Sequence, residues 1–160
     1  MQMQKSISLN DLDISGSRIL AKNIAEKINQ EILRVIYIKG DLGVGKTTLV
    51  RFILRELGIR QTVKSPSFST VEFYNTDKFE IAHLDFFRAS NPNFWRNNEI
   101  KDIFQDTTYL IFLEWPERAT NLPNPDMTIE MFLPKRIDEN CRKFTLSTTK
   151  CTVALLDLYN

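Results

Sequence analysis

The chain has 160 residues, of which 42% are hydrophobic, and this length predicts a single domain over residues 1–160 with one buried core. Its formal net charge is +1, so it lacks the strongly basic surface of proteins that grip nucleic acid broadly, and any connection with RNA should be local or indirect. Its apolar runs are too short to span a bilayer and its first residues are polar, so we expect a cytoplasmic protein that does not contact membranes.

Two amphipathic helices are predicted on either side of a buried strand. Either Ser15 or Ser17 could cap the first helix, and the continuous apolar run Val35–Lys39 is typical of a strand covered on both faces. The second helix carries an apolar stripe over Leu49–Leu57, and Gly58 can end it with a left-handed cap. The apolar stripe of the first helix consists of Leu20, Ala21, Ile24, Ala25 and Ile28.

The segment between that strand and the second helix, GDLGVGKT, matches the phosphate-loop motif G-x-x-x-x-G-K-[ST]. Glycines let successive backbone N–H groups turn toward phosphate oxygens, and the start of the helix adds the positive end of its dipole. We expect the amino group of Lys46 to reach the β- and γ-phosphates of a nucleotide and the hydroxyl of Thr47 to bind Mg²⁺. The candidate phosphate-binding residues are Gly40, Asp41, Leu42, Gly43, Val44, Gly45, Lys46, Thr47 and Thr48.

Further strands and short helices are predicted after the second helix, beginning with a hairpin. They are strands at residues 70–75, 79–85, 109–115, 127–133 and 142–148, a short helix carrying Ile100, Ile103 and Phe104, and a closing helix at residues 153–158. Strands and helices in this order favour an α/β fold with three layers, α/β/α, around a mixed, mostly parallel central sheet. With the phosphate loop, this pattern predicts a single P-loop nucleotide-hydrolase domain.

Two acidic residues end predicted buried strands. Asp85 ends the run IAHLD, and Glu114 ends the run LIFLE. The carboxyl ends of parallel strands meet at one edge of a sheet, and neighbouring strands lie about 4.8 Å apart, so both carboxylates could reach one Mg²⁺ ion or its waters. His83, the only histidine, points to the same face as Asp85, and we expect a hydrogen-bonded core residue there rather than a catalytic one.

A hydroxyl-rich segment, VKSPSFSTVEFY, starts at Val63 and precedes the hairpin. In many nucleotide hydrolases the segment after the phosphate-loop helix is a switch that becomes ordered by the γ-phosphate and Mg²⁺. Ser67 and Ser69 are the candidate nucleotide-contacting hydroxyls under that interpretation. An ordinary loop, with Pro66 setting its turn, is equally compatible with these residues.

Four stretches in a fixed order carry a family resemblance: GDLGVGKTTL from Gly40, VKSPSFSTVEFY from Val63, HLDFFR from His83 and LEWPE from Leu113. At these spacings the chain resembles the bacterial TsaE proteins (formerly YjeE), ATPases of the pathway that makes N6-threonylcarbamoyladenosine in tRNA. The resemblance covers nearly the whole chain and weakens in the first residues and after Pro134. It implies ATP and Mg²⁺ as the ligands of the phosphate loop.

The resemblance also implies roles for individual residues. Lys46 and Thr47 would bind phosphate and Mg²⁺, and Glu114 would supply the second protein ligand to the ion. Asp85 would be essential to hydrolysis, so Lys46 and Asp85 are the candidate catalytic residues. Trp115 matches a tryptophan that is important to the family's function, and we include it among the candidate nucleotide-contacting residues.

The chain departs from the family pattern at two aromatic positions. The family's switch usually reads Ser-Pro-Thr-Tyr-Thr, and this chain has Ser-Pro-Ser-Phe-Ser at the same place. Hydroxyl groups therefore remain at Ser67 and Ser69, whereas Phe68 lacks the phenol group of the usual tyrosine. Phe87 likewise stands where tyrosine is usual.

The family's partners are TsaB and TsaD, of which TsaD transfers the threonylcarbamoyl group. The resemblance thus implies an ATPase, slow alone and dependent on partners, that supports modification at position 37 of tRNAs reading A-starting codons and meets tRNA only indirectly.

Two other functions are compatible with the same loop. A small-molecule P-loop kinase would need a lid bearing arginines, for which the segment Arg88–Asp106 is the only candidate. A nucleotide-switched binding module would bind its partner according to the nucleotide, with hydrolysis incidental. A GTPase is disfavoured because no Asn-Lys-x-Asp sequence follows the strands.

Cys141 and Cys151 show no metal-ligand spacing, so we expect free thiols.

Overall fold

The computed structural model describes residues 4–134, 140–150 and 158 of the chain. The strands within these residues are β1 (Lys5–Leu12), β2 (Val35–Gly40), β3 (Val71–Asn75), β4 (Glu80–Asp85), β5 (Tyr109–Glu114), β6 (Met127–Phe132) and β7 (Arg142–Thr148). The helices are α1 (Ile14–Asn29), α2 (Lys46–Glu56) and α3 (Asn98–Gln105). Short 3₁₀ turns span Phe94–Arg96 and Pro116–Arg118.

The seven strands form one mixed sheet in the order β1-β7-β6-β2-β5-β4-β3. Strands β6, β2, β5 and β4 run parallel at its centre, whereas β7 and β3 are antiparallel to their neighbours. Because β1 is antiparallel to β7, it points the same way as the central four strands. All strands except β3 and β7 therefore share one direction, which confirms the predicted mixed, mostly parallel sheet.

Helices cover both faces of this sheet. Ile36 and Ile38 belong to the hydrophobic cluster that α1 and α2 form with one face. Val35 and Tyr37 belong to the cluster on the other face, where α3 contributes Ile103. Successive side chains of a strand point to opposite faces, so burial on both sides explains the continuous apolar run of β2. The predicted three-layer α/β/α arrangement is confirmed.

Helix α1 begins earlier than either predicted cap would place it, by two residues relative to Ser15 and four relative to Ser17. Asp13 is the N-cap, and its Oδ1 accepts a hydrogen bond from the backbone N–H of Gly16 at 2.8 Å. The prediction of Ser15 or Ser17 as the cap is wrong, because both lie inside the helix and Ser17 Oγ donates to the Asp13 carbonyl at 2.9 Å. An aspartate satisfies the free N–H groups of a first turn as well as serine does, so the cap at Asp13 leaves both serines inside the helix.

Strand β1 has no counterpart in the sequence predictions. It pairs with β7 from Lys5 opposite Thr148 onward and buries Leu9 and Leu12, while most of its other side chains are exposed. A half-exposed edge strand carries a weak apolar pattern, and its pairing is decided by a distant strand. This explains why the polar opening gave no signal.

The other predicted elements agree with the structure except at their ends. Strands β3 and β4 form the expected antiparallel hairpin, and the strand expected to include Trp115 ends at Glu114. The closing helix expected at residues 153–158 lies outside the described residues apart from Leu158, and so does Cys151. Cys141 directly precedes β7, and the free thiol expected there stays a prediction. In the part of the chain that is described, no helix has both the length and the hydropathy to cross a membrane.

Candidate functional site

The phosphate-loop segment leaves β2 at Gly40 and enters α2 at Lys46. Gly40 has a φ of +139°, and a side-chain carbon there would lie 2.6 Å from the backbone oxygen of Met131 on β6. Gly45 caps α2 with a φ of 109°, which is again a left-handed conformation that glycine favours. The loop therefore passes close to β6 and turns into a helix whose first N–H groups lack partners within the helix, which provides donors for an anion.

The Lys46 side chain folds back over its own loop. Its Nζ donates to the carbonyl oxygens of Gly40 at 2.6 Å and Asp41 at 2.9 Å, and it lies 4.0 Å from the ring centroid of Trp115. Burial lowers the pKa of the Lys46 ammonium group, while the negative charges of Glu114 and other nearby carboxylates oppose that shift. The ammonium group is thus held at the loop by backbone oxygens and one aromatic face.

Glu114 ends β5 beside the loop and is buried, with 2% of its surface exposed. Its Oε1 accepts a hydrogen bond from Thr47 Oγ1 at 2.8 Å and lies 2.8 Å from His83 Nε2. His83 is fully buried, so the expected hydrogen-bonded core histidine is confirmed, and its partner is the candidate metal ligand. Among the described residues no group of three or more His, Cys, Asp or Glu side chains could hold a metal. An ion here would therefore need oxygen ligands from phosphate and water.

Asp85 ends β4 directly opposite Glu114 in the parallel register of β4 and β5. One of its oxygens, Oδ1, accepts a hydrogen bond from the backbone N–H of Phe87 at 2.8 Å. Burial raises the pKa of the Asp85 carboxyl, and the charge of Glu114 raises it further, while the Phe87 hydrogen bond and the nearby Lys46 ammonium group lower it. The two predicted strand-end carboxylates are brought together at one edge of the sheet.

The hydroxyl-rich segment contributes some but not all of its serines to this region. Ser65 and Ser67 line the same cavity as the loop, and their hydroxyls lie 3.0 Å apart. Ser69 is not among the lining residues, and its hydroxyl donates to Glu72 at 2.9 Å. Thr70 has a left-handed φ of 69°, and its carbonyl accepts from the Asp85 backbone N–H at 3.0 Å. The segment is therefore attached directly to the end of β4.

These side chains surround an open cavity of about 270 Å³. It is lined by Leu42, Gly43, Gly45, Lys46, Thr47, Thr48, Ser65, Ser67, Asp85, Phe87, Glu114 and Trp115. Of the predicted loop residues, Gly40, Asp41 and Val44 do not line it. Gly40 and Asp41 instead bind the Lys46 amino group through their carbonyl oxygens. The cavity lies at the carboxyl ends of β2, β4 and β5, where open α/β sheets bind their ligands.

A second cavity of about 360 Å³ adjoins the first and shares Gly43, Gly45 and Thr48 with it. Its remaining lining residues are Ile14, Ser17, Val44, Leu49, Phe52, Met131, Asn140, Arg142 and Phe144. Sequence analysis missed most of these residues, because α1, β6 and β7 meet only in the tertiary structure. Arg142 also fixes the loop, since its Nε donates to the Val44 carbonyl at 2.7 Å.

Trp115 has an unusual backbone for so large a side chain. Its φ of 59° and ψ of 47° lie in the left-handed region, which costs a residue other than glycine about 1–3 kcal/mol. Its ring lies 5.0 Å from the ring of Phe87 and 5.7 Å from the guanidinium carbon of Arg118. The turn after β5 therefore aims an indole across the mouth of the cavity toward Lys46.

Comparison with known proteins gives a consistent family. A family model described as "Threonylcarbamoyl adenosine biosynthesis protein TsaE" matches residues 14–143. A relative from Haemophilus influenzae named tRNA threonylcarbamoyladenosine biosynthesis protein TsaE is 36% identical over 106 residues, which is 66% of this chain and 66% of the relative. That match spans just under two thirds of the relative's length. A protein of the same name from Rickettsia felis is 32% identical over 86% of this chain and 78% of the relative.

A solved structure shares the fold. The crystal structure of Bacillus subtilis YdiB superposes with a TM-score of 0.70, covering 94% of this chain and 90% of that one at 21% sequence identity. At this identity the likeness concerns the fold alone.

Proposed function

The chain belongs to the TsaE family of tRNA threonylcarbamoyladenosine biosynthesis proteins, and from this we propose that it binds ATP with Mg²⁺ and hydrolyses it in support of that modification. In this proposal it acts in the cytoplasm with TsaB and TsaD, leaves the threonylcarbamoyl transfer to TsaD, and meets tRNA only through them. The observation that carries the ATPase assignment is one cavity lined by the phosphate loop, Lys46, the Thr47–Glu114 pair and Asp85.

Phosphate binding would begin with an exchange of partners at Lys46. Its ammonium group donates hydrogen bonds to two carbonyl oxygens of the loop. Phosphate oxygens carry more negative charge than carbonyl oxygens, so a bound phosphate would replace them as partners of the ammonium group. The N–H groups at the start of α2 would bind the same phosphates. Trp115, 4.0 Å from the ammonium, limits the directions from which water reaches it.

The donor set at the end of β5 fits a magnesium ion. Thr47 and Glu114 present a hydroxyl and a carboxylate that already lie within 2.8 Å of each other, and Mg²⁺ prefers such oxygen ligands alongside phosphate and water. Bound Mg²⁺ would neutralise charge that develops on the phosphate oxygens. Thr47 and Glu114 would hold the ion. The neighbouring His83 forms a hydrogen bond with Glu114.

Hydrolysis would use Asp85 as the residue that orients the attacking water. The Phe87 N–H holds Oδ1, and the raised pKa that burial gives this carboxyl suits a group that accepts a proton. Water attacks the γ-phosphorus while the bond to the β–γ bridging oxygen breaks, and the water's proton passes to Asp85 or to a phosphate oxygen.

The isolated protein should hydrolyse ATP slowly. Two arginines near the site are engaged with aromatic rings: the guanidinium carbon of Arg88 lies 4.3 Å from the Phe68 ring centroid, and that of Arg118 lies 5.7 Å from the Trp115 ring centroid. Neither is among the residues that line the phosphate cavity. Charge on the transferred phosphoryl group is then incompletely neutralised, which in related hydrolases lowers the rate by factors of about 10³ or more.

The second cavity is the proposed place for the nucleoside of ATP. It adjoins the loop through Gly43, Gly45 and Thr48 and offers Phe52 and Phe144 as apolar and aromatic lining. Aromatic and aliphatic walls with a few polar groups are typical of sites for flat heterocycles.

The kinase alternative finds less support. Its candidate lid, Arg88–Asp106, includes Trp95, whose indole N–H donates to the Thr120 carbonyl at 2.9 Å, and Phe104 of α3, which is buried in the core. A segment packed in this way would have to leave the core to close over phosphates. ATP hydrolysis measured without any acceptor separates the two functions, since a kinase needs an acceptor to release ADP rapidly.

The full proposal is tested by reconstituting tRNA threonylcarbamoylation with the cognate TsaB and TsaD proteins. Modified adenosines are counted per enzyme molecule with this protein, without it, and with Lys46→Ala or Asp85→Asn. Repeated modification of tRNA by each enzyme molecule should require this protein without either substitution. If omitting it leaves repeated turnover unchanged, the pathway role is wrong, while the nucleotide site is judged separately by ATP binding.

A further inference from the structure

The only histidine of the chain contacts the candidate metal ligand from inside the sheet. His83 lies on β4, fully buried, and its Nε2 is 2.8 Å from Oε1 of Glu114 on β5. Its other ring nitrogen, Nδ1, is buried and has no hydrogen-bond partner among the described residues. The two ring nitrogens therefore have different surroundings, one facing a carboxylate and the other facing no polar partner.

This contact follows from the register of the two strands. His83 is paired with Phe112, so Glu114 stands two residues further along β5 on the same face. Neighbouring strands lie about 4.8 Å apart, within reach of long side chains, and β4 and β5 are interior strands of the sheet whose residues are mostly buried. The imidazole is consequently anchored by rigid elements rather than by a loop.

We propose that His83 is a positioning residue for Glu114: its Nε2–H donates to Oε1 and holds the carboxylate where it meets Thr47 and a bound divalent cation. Without a hydrogen on Nε2, lone pairs of the imidazole and the carboxylate would face each other at 2.8 Å. A hydrogen on Nδ1 instead would be a buried donor without an acceptor. Both considerations put the hydrogen on Nε2.

Two donors fix the orientation of the carboxylate. His83 and Thr47 both contact Oε1, each at 2.8 Å, so the plane of the Glu114 carboxylate is set before any ion arrives. Loss of such a supporting contact in metal sites weakens metal affinity by about 10- to 100-fold, because the ligand must be ordered when the ion binds. The part of this inference that concerns the cation rests on the proposed function, whereas the hydrogen bond does not.

The hydrogen bond can be measured directly because the chain has one histidine. In a ¹⁵N-histidine-labelled, nucleotide-free sample, a long-range ¹H–¹⁵N correlation spectrum should show a protonated, pyrrole-type Nε2 and an unprotonated, pyridine-type Nδ1. The same pattern should persist in Lys46→Ala, which alters the loop but not this contact. A hydrogen on Nδ1, or averaging between the two tautomers, would overturn the proposal.

A pair of variants tests the consequence for the ion. His83→Gln keeps an N–H donor near the position of Nε2, whereas His83→Leu fills a similar volume without one. The Mg²⁺ concentration at half-maximal binding of a fluorescent ATP analogue should rise about 10- to 100-fold in His83→Leu and only a few-fold in His83→Gln. Equal values for the two variants, or none above that of the unmodified chain, would overturn the positioning role. Thermal unfolding of each variant reports whether it folds.

The two hypotheses fail in different experiments. A chain that binds but never hydrolyses ATP would contradict the proposed ATPase and leave the tautomer pattern as it stands. If His83→Leu does not fold, the spectrum of the unmodified protein still decides the hydrogen bond. Titrating Mg²⁺ with ADP into that labelled sample should move the His83 signals, and no movement at saturating ADP would contradict a link between His83 and the ion.

Discussion

Three charged side chains of the candidate site lie in the protein's interior: Lys46 is 5% exposed, Asp85 6% and Glu114 2%. Buried charge is tolerated only where hydrogen bonds or opposite charges compensate for lost water. Here the ammonium binds two carbonyls of its own loop, and the two carboxylates bind a backbone N–H, a hydroxyl and an imidazole. The contacts of Lys46 and Thr47 can be exchanged for contacts to phosphate and metal, so a site suited to binding also folds without its ligand.

Replacing Lys46 with alanine should weaken binding of Mg²⁺–ATP by about 2–4 kcal/mol, since a charge-assisted contact to phosphate is lost. Isothermal titration measures this loss directly. Lys64→Ala is the matched control, because Lys64 has an exposed side chain and lies outside the residues that line the cavity. Affinity that is unchanged in Lys46→Ala would refute the phosphate-loop assignment.

Replacing Asp85 with asparagine should slow ATP hydrolysis at least 10²-fold, because the amide cannot accept the proton of the attacking water. Nucleotide affinity should change little, since an asparagine oxygen can still accept the Phe87 N–H hydrogen bond. Single-turnover hydrolysis and titration of the same preparation separate the two quantities. A variant that hydrolyses ATP at the normal rate would exclude Asp85 from the chemical step.

The ends of strands and helices determine where the functional side chains lie. Strand β5 ends at Glu114 because Trp115 turns into the left-handed region, and the same residue then reaches Lys46. Thr70 makes a similar left-handed turn before β3 and binds the Asp85 N–H through its carbonyl. Two strained residues therefore flank the cavity, where such backbone conformations are often retained for function.

The start of α1 gives a prediction about an element. Asp13→Ala should lower the free energy of unfolding by about 1 kcal/mol, because Gly16 N–H loses its side-chain acceptor. Ser15→Ala should have a much smaller effect, since Ser15 is exposed inside the helix. Urea denaturation of the two variants makes the comparison. An equal loss in Ser15→Ala would favour the serine cap that sequence analysis predicted.

Across the whole molecule, one carboxylate joins segments that are far apart in sequence. Asp126 Oδ2 accepts hydrogen bonds from the backbone N–H groups of Arg34 at 2.7 Å and Val35 at 2.9 Å, before β2 and at its start. Its Oδ1 lies 2.8 Å from Lys150 Nζ, and its carbonyl accepts from Thr148 on β7. The residue thus connects the central strand to the antiparallel end of the sheet at the edge opposite the phosphate loop.

Asp126→Ala should therefore destabilise the protein by about 2–4 kcal/mol, since two backbone donors lose a charged acceptor. Lys150→Ala should cost less than about 1 kcal/mol, because that ion pair is partly exposed and screened by solvent. Equilibrium unfolding in urea gives both values. Similar losses in the two variants would mean that the ion pair, rather than the backbone contacts, carries the stabilisation.

Elements whose signal is local were predictable from the order of the amino acids. The phosphate loop is a run of adjacent residues, and its chemistry follows from their order. Strand β2 was recognisable because burial on both faces requires a continuous apolar run. The predicted stripe of α1 is buried, and so is that of α2 except for Leu57, which is half-buried at the C-cap. Asp85 and Glu114 were found because each ends such a run, and parallel strands bring their carboxyl ends to one edge.

The tertiary structure alone decided contacts between segments distant in sequence. It paired β1 with β7, brought Arg142 to the Val44 carbonyl, and set His83 against Glu114 through the register of β4 and β5. The hydrogen bonds and buried charges of these contacts depend on distances of a few ångströms between side chains. A one-dimensional pattern records which residues are apolar or charged, but the sheet order that fixes those distances is set by the packing of the whole core.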